Sequence, residues 1–365
     1  MMKKSLLLGF LTLGMMAAGC SNDLNTPEVN LEEKGSIKVS IRSGNSSTRA
    51  EGEPTQQEEN KVTDFTVYVF NYSTGALELK ETVTGTLEKT IGGLSVVSSK
   101  KVVVLVNEPS GVFSGIANYN QLNNAYLNLD SQVEALAGSN FKGLFMSGET
   151  QDPVVLTTDA DPVDVPVTVR RLTAKIKLGK ILVQADNGVD ISKFTLGGIS
   201  IQEAREKAIP MGNGMVTDVS NVSYVQGIES YKEEDNSWIV SKEYLNQFYS
   251  LPADYVEGTE LSPKYYFYVF PNNNDDDKST LLTVYGLYDG KPMYFPFRIN
   301  DKNMGIEGSA DGTWIQRNKV YTLNVSLKKL ASGGEEPNTP NDEVSMDLQV
   351  KVADWEGSLV QDVEW

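Results

Sequence analysis

The sequence predicts a mostly β protein, built as two sandwich modules with a few short helices, and three observations carry that expectation. Between residues 62 and 327 the apolar segments are short and rich in Val, Ile, Tyr and Phe, as in 65–70, 102–106 and 265–270, with Gly, Asn, Asp and Pro between them; this is the composition of strands separated by turns. Only residues 121–137 offer helical spacing, through Leu122, Ala125, Tyr126, Leu129, Val133 and Leu136. A length of 365 residues exceeds one small core and suits two modules of ~150 residues each.

Lys3 and Lys4 precede an apolar run over 6–16, and Ala17, Ala18 and Gly19 lead directly to Cys20. Together they describe an export signal over 1–19. The run is too short to span a bilayer. Small residues ending in cysteine resemble the lipobox, whose thiol is acylated before the signal is removed, although Ala17 stands where leucine is more usual. Acyl chains on Cys20 would anchor the chain, each buried CH₂ contributing about 0.8 kcal/mol.

Residues 36–42 follow a polar tether, and there Ile37, Val39 and Ile41 alternate with Ser and Lys in the period-2 pattern of a half-buried strand. Next comes a small-residue, polar stretch reaching Lys61, exposed and open to proteolysis. Arg49 is the only basic residue between Arg42 and Lys61. A cut between Arg49 and Ala50 would release everything before it, the strand included; the plainer alternative is a flexible tether with an incidental arginine. The expected organisation is therefore a signal over 1–19, a propeptide over 20–49 with a removable strand, and β modules over 50–168 and 169–365. The acidic, proline-containing stretch 159–164 marks the division, and 165–178 reads as a strand pair.

Composition narrows the chemistry. The formal charge is −17 and histidine is absent, which argues against nucleic acid as a partner, since that demands clustered Lys and Arg. Without histidine there is no Ser-His-Asp or Cys-His catalysis and no His-containing zinc site. Cys20 is the single cysteine, so no intrachain disulfide forms. No cofactor, metal ligand set or catalytic residue is assigned. Asn272 to Asp277 and the group Asp159, Asp161 and Asp164 read as solvated loops, lacking the EF-hand spacing and its terminal glutamate. The aromatics Tyr265, Tyr266, Phe267, Tyr268 and Phe270 read as strand burial in preference to a sugar-stacking platform.

Residues 331–343, rich in Gly, Pro, Asn and acid, read as a flexible leash. Beyond them Val344, Met346, Leu348, Val350 and Val352 alternate strictly with polar residues, and after a turn at 353–357, which holds Trp355, a second run carries Leu359, Val363 and Trp365. Such strands can dock at home. They can also fill a vacancy in another copy, where five apolar side chains would contribute on the order of 10 kcal/mol before ordering costs. Donor and acceptor surfaces differ, so that contact is head-to-tail and propagates a filament.

These residues resemble the FimA/Mfa-type fimbrillins of Bacteroidales, subunits of type V pili. The resemblance rests on the lipobox at Cys20, on the strand and Arg49-Ala50, and on the segments 101–107 (KVVVLVN), 143–149 (GLFMSGE), 169–177 (VRRLTAKIK) and 317–325 (RNKVYTLNV). The ending, Val352-Ala353-Asp354-Trp355 through Val363-Glu364-Trp365, completes it. It implies two transthyretin-like β-sandwich domains, export to the outer membrane as a lipoprotein, and cleavage by an arginine-specific protease between Arg49 and Ala50. It further implies that a strand bearing Ile37, Val39 and Ile41 is expelled, and that 344–365 are donated to the next subunit of a surface fimbrium serving adhesion. Partners are then other copies and related pilus subunits, with a stalk position favoured. The competing expectation is a lipid-anchored surface protein that binds glycans or host ligands and never polymerises.

Overall fold

The computed structural model describes residues 33–43, 59–133, 143–158, 161–184, 188–262, 265–272, 278–300, 315–328, 330–340, 346–354 and 360–361. Lys34–Ser43 forms β1, where the alternation foreseen from sequence buries Ile37, Val39 and Ile41 and leaves Lys38 and Ser40 at the surface margin. Asp64–Asn71 (β2), Leu77–Thr84 (β3), Glu88–Ser95 (β4) and Lys100–Val106 (β5) follow. Beyond them lie the helices Tyr119–Asn123 (α1) and Leu129–Val133 (α2), then Met146–Glu149 (β6) and Val163–Arg171 (β7).

The seven strands make one sheet in the order β3-β2-β5-β6-β7-β1-β4. One apolar cluster draws side chains from all seven, including Ile37, Val67, Val83, Ile91, Val104, Met146 and Val167, so the sheet curls over it as a sandwich. A second cluster takes Tyr68 and Phe70 of β2 and Val103 and Leu105 of β5 from the opposite face. Burial on both faces explains why these two strands read as unbroken apolar runs, without the alternation of a one-sided strand.

In the second half, Ala174–Val183 (β8), Phe194–Gln202 (β9), Asn246–Phe248 (β10), Tyr266–Val269 (β11), Leu281–Tyr288 (β12), Lys291–Arg298 (β13), Lys319–Leu327 (β14) and Met346–Asp354 (β15) are the main strands. β8 pairs in parallel with β14, and β14 antiparallel with β15; β11 and the short Glu260–Leu261 strand lie along the other edge of β8. β10-β9-β12-β13 make a separate four-stranded sheet. Residues from both sheets, such as Ile176, Leu323, Ile199 and Val284, join the second cluster.

Three expectations change. Over the described part of the helix foreseen for 121–137, up to Val133, there are two helices: Asn124 caps α1, and Leu127–Asn128 then leaves helical geometry to pair with Lys207–Ala208, a tertiary contact that overrides local propensity. The strand pair foreseen over 165–178 exists as β7 and β8, but the two strands belong to different sheets. The leash is also not free over its described part. Gly334 exchanges two main-chain hydrogen bonds with Tyr294, and Thr283 Oγ1 donates to Pro337 O at 2.7 Å.

Candidate functional site: the slot filled by the N-terminal strand

β1 lies inside its sheet. It runs parallel to β7 from Ile37 opposite Val163 to Ser43 opposite Val169, and antiparallel to β4 from Lys34 opposite Ser95 to Ser40 opposite Glu88. Ile37, Val39 and Ile41, exposed 0%, 0% and 5%, contribute roughly 1.5–3 kcal/mol each to holding it there. Gly35 admits the chain at a tight point, since a Cβ would stand 2.8 Å from the Thr157 carbonyl oxygen. On the outer face Lys38 Nζ pairs with Glu88 Oε2 at 3.0 Å, and Asp164 is Lys38's register partner on β7.

Loss of β1 would uncover two rims of unpaired main-chain groups and the floor of an apolar cluster, a costly template for another strand. Beyond Val169 the slot is closed. Arg171, buried and pointing the same way along β7, donates through its guanidinium to the Asn60 side chain and to Glu59 O, and its backbone N–H donates to Asn318 Oδ1 at 3.2 Å. Glu59 in turn accepts from Lys175 Nζ at 2.7 Å and from the Tyr268 hydroxyl. Burial pushes the Arg171 guanidinium down to about 10, against the Glu59 carboxylate and Tyr268, which raise it. Burial, reinforced by Glu59, holds the Tyr268 phenol far above the usual tyrosine range.

The segments that carried the family resemblance meet beside this network, which sequence alone did not disclose. Asn107 of the first segment, at φ +55°, accepts from Thr63 N and donates to Lys61 O and Leu144 O. Arg317 of the last donates to Arg171 O, Arg170 O and Pro210 O at 3.1, 2.7 and 3.0 Å and to Ser147 Oγ at 2.9 Å. Gly148 lies flush on β7, where a Cβ would fall 2.1 Å from Thr168 O. These side chains staple β5, β6, β7 and β14 around one junction. The signal available from sequence was the clustering of Arg, Asn and Ser at strand ends.

The C-terminal strand docks at home in this structure. β15 pairs with β14 along its whole length, from Met346 opposite Leu327 to Asp354 opposite Lys319, and Val360–Gln361 runs parallel to Lys61–Val62. Met346, Leu348, Val350 and Val352 therefore lie on an edge strand, while Val344, Trp355, Leu359, Val363 and Trp365 fall outside the described residues, as do Cys20, Arg49 and Ala50.

Elsewhere the loop readings fail at two places, since Asp164 lies in β7 and Asn272 is not solvated. Asp161 and Asp164 are exposed; Asp159 and residues 273–277 lie outside the described residues. Asn272 is buried and accepts from Arg205 Nε at 3.1 Å. Among the described residues no three His, Cys, Asp or Glu side chains gather as a metal site. Phe267, Tyr268 and Phe270 are buried, and only Tyr265 and Tyr266 keep partial exposure, so the aromatic run is core.

Comparison with known proteins bears on the fold. No curated protein sequence matches the chain. Among solved structures, a fimbrilin (FimA) from Porphyromonas gingivalis W83 is 18% identical, with TM-score 0.64 over 88% of this chain and 97% of that one. A protein from Bacteroides eggerthii DSM 20697 is 20% identical, with TM-score 0.63 over 88% and 96%. The tip fimbrial protein Mfa3 from Porphyromonas gingivalis, with C-terminal truncation, is 14% identical, with TM-score 0.50 over 88% and 100%. Residues 34–178 match the family described as Major fimbrial subunit protein (FimA), and the solved structures show that the chain shares their fold.

Proposed function

We propose that this chain is a structural pilin, a stalk subunit exported as a lipoprotein through Cys20, cut between Arg49 and Ala50, and polymerised by strand exchange into surface fimbriae for adhesion. The observation that carries the reading is the position of β1: it is interior to its sheet, buries Ile37, Val39 and Ile41, and is joined to the rest through the segment that holds Arg49. A single cut there frees the strand together with the lipid, and the rims of β7 and β4 then accept residues 344–365 of another copy. Main-chain pairing gives affinity, and alternate side chains give register. The two modules, divided near residue 168, act as acceptor and donor ends. Partners are other copies, related pilus subunits and an arginine-specific protease; the outer membrane holds the lipidated precursor. The role is structural, and catalysis has no part in it.

The test is to treat the precursor with an arginine-specific protease, map the new N-terminus and look for SDS-resistant ladders with and without residues 344–365. A new terminus at Ala50 with ladders that vanish on the deletion, or on Arg49→Ala, supports the reading. A trimmed form that closes its slot with its own tail and stays monomeric removes it.

A further inference from the structure

The slot has an electrostatic gauge as well as an apolar floor. Lys38 sits between two rims of opposite charge to its own: its ammonium pairs with Glu88 of β4 at 3.0 Å, and Asp164 of β7 stands at the same level across the strand. Glu88 and Asp164 both border the recess at this end of β1. When β1 leaves, Glu88 loses its cation, and Glu88 and Asp164 border the gap from opposite rims. Whatever strand replaces β1 has to bring a cation to that level and apolar side chains to the levels of Ile37, Val39 and Ile41.

Residues 344–365 contain one basic residue, Lys351. It is flanked by Val350 and Val352, so placing it at the level of Lys38 puts valines at the levels of Ile37 and Val39 in either direction. Direction is then decided by the next buried position. If the strand enters in the same direction as β1, Asp354 falls where Ile41 is 5% exposed, which buries an unpaired carboxylate. If it enters reversed, Val352, Val350 and Leu348 take the places of Ile37, Val39 and Ile41, while Gln349 and Asp347 take the outward places of Ser40 and Arg42. We infer that the C-terminal strand of a second copy enters antiparallel to the departed β1, with Lys351 held between Glu88 and Asp164 as the residue that sets register.

This rests on the strand-exchange reading, and the direction has a competitor. Sliding the strand by two residues in the direction of β1 keeps Leu348, Val350 and Val352 on the buried face but moves Lys351 to the level of Ser40, opposite Glu88 and Pro166 and away from Asp164. The two arrangements place different residues beside Thr168, which is the register partner of Arg42 and exposed. Asp347 arrives there in the reversed strand, Ala353 in the other.

Full-length precursors carrying Thr168→Cys with either Asp347→Cys or Ala353→Cys are therefore cut with the arginine-specific protease and oxidised during assembly. Interchain disulfides with the Asp347→Cys pair alone are the expected result; crosslinking through Ala353→Cys overturns the direction. In the second arm Lys351→Glu slows ladder formation about tenfold, because two rim carboxylates then face a third. The charge-swapped chain Lys38→Glu, Glu88→Lys, Asp164→Lys, Lys351→Glu restores it, and the difference shrinks at high salt. Ladders that form from Lys351→Glu at the unaltered rate overturn the register assignment while leaving strand exchange intact. Absence of ladders from the unsubstituted trimmed chain overturns strand exchange itself.

Discussion

Glu59 and Lys175 form an ion pair at 2.7 Å with both side chains buried, joining the first residue described after the Arg49 segment to β8 in the second half of the chain. Arg171 and Tyr268 complete the group. Because the network lies on the C-terminal side of any cut at Arg49, it would stay in place if the N-terminal strand departed and would form the fixed end of the slot.

Replacing Glu59 by Gln leaves Lys175 and Arg171 buried without their countercharge. Removing one member of a buried pair costs about 3–5 kcal/mol. A fall of that size in unfolding free energy, read from urea midpoints at constant slope, is expected for Glu59→Gln. A change below about 1 kcal/mol would show the pair to be solvated and would remove it as the rigid end of the slot.

Much of this organisation was legible in the amino-acid sequence, and the reasons differ by element. Ile37, Val39 and Ile41 announced their burial because a one-sided strand alternates. β2 and β5 were legible as strands but their partners were not, since a strand buried on both faces has no periodicity to say which residue meets which core. The second α-helix was misjudged as a continuation of the first because the pairing of Leu127 with Ala208 is a long-range contact. The junction around Arg317 was invisible for the same reason: a guanidinium satisfied by carbonyl and hydroxyl groups far away in the sequence leaves no local pattern.

The buried tyrosines make stability sensitive to alkali. Burial raises the phenols of Tyr68, Tyr119, Tyr268, Tyr285 and Tyr294 above their ordinary value of 10.0, that of Tyr294 to about 12. A raised folded pKa means that the unfolded chain loses the proton first, so the stabilisation is complete below pH 10 and is lost as pH rises toward 12. For each such phenol the slope approaches about 1.4 kcal/mol per pH unit. Urea midpoints measured between pH 9 and pH 11.5 should fall, and Tyr294→Phe should fall less steeply; parallel curves would show that Tyr294 titrates freely in the fold.

The docked strap before β15 limits how far that strand can swing. Thr283 Oγ1 donates to Pro337 O, and Asn338 Nδ2 donates to Glu203 Oε1 at 3.2 Å, beside the Tyr294–Gly334 main-chain pair. Each side-chain hydrogen bond contributes about 0.5–1.5 kcal/mol. The double variant Thr283→Val, Asn338→Ala should open the strap locally, so that a glutamate-specific protease cuts at the exposed Glu335 and Glu336 about tenfold faster while global stability drops by only ~1–2 kcal/mol. Unchanged cutting would place the restraint in the main-chain pair alone.

The last prediction separates expulsion of β1 from proteolysis as such. Val39 is fully buried at the centre of β1, so Val39→Asp sets an unpaired carboxylate against the apolar cluster, and burying it without a partner costs several kcal/mol. With Val39 gone, Ile37 and Ile41 together return about 3–6 kcal/mol for holding β1 in place, and the buried charge offsets most of that. The cheaper outcome is that β1 leaves the slot while the Glu59 network and the sheet around it stay folded. Uncut Val39→Asp precursor should then form SDS-resistant ladders without any protease, and hydrogen exchange should show residues 34–43 unprotected. Lys38→Ala, which removes only an exposed ion pair worth up to ~1 kcal/mol, should remain monomeric until cut. If residues 34–43 of Val39→Asp become unprotected and the chain still fails to assemble, vacancy of the slot is not what limits polymerisation, and the cut near Arg49 acts by some step other than releasing β1.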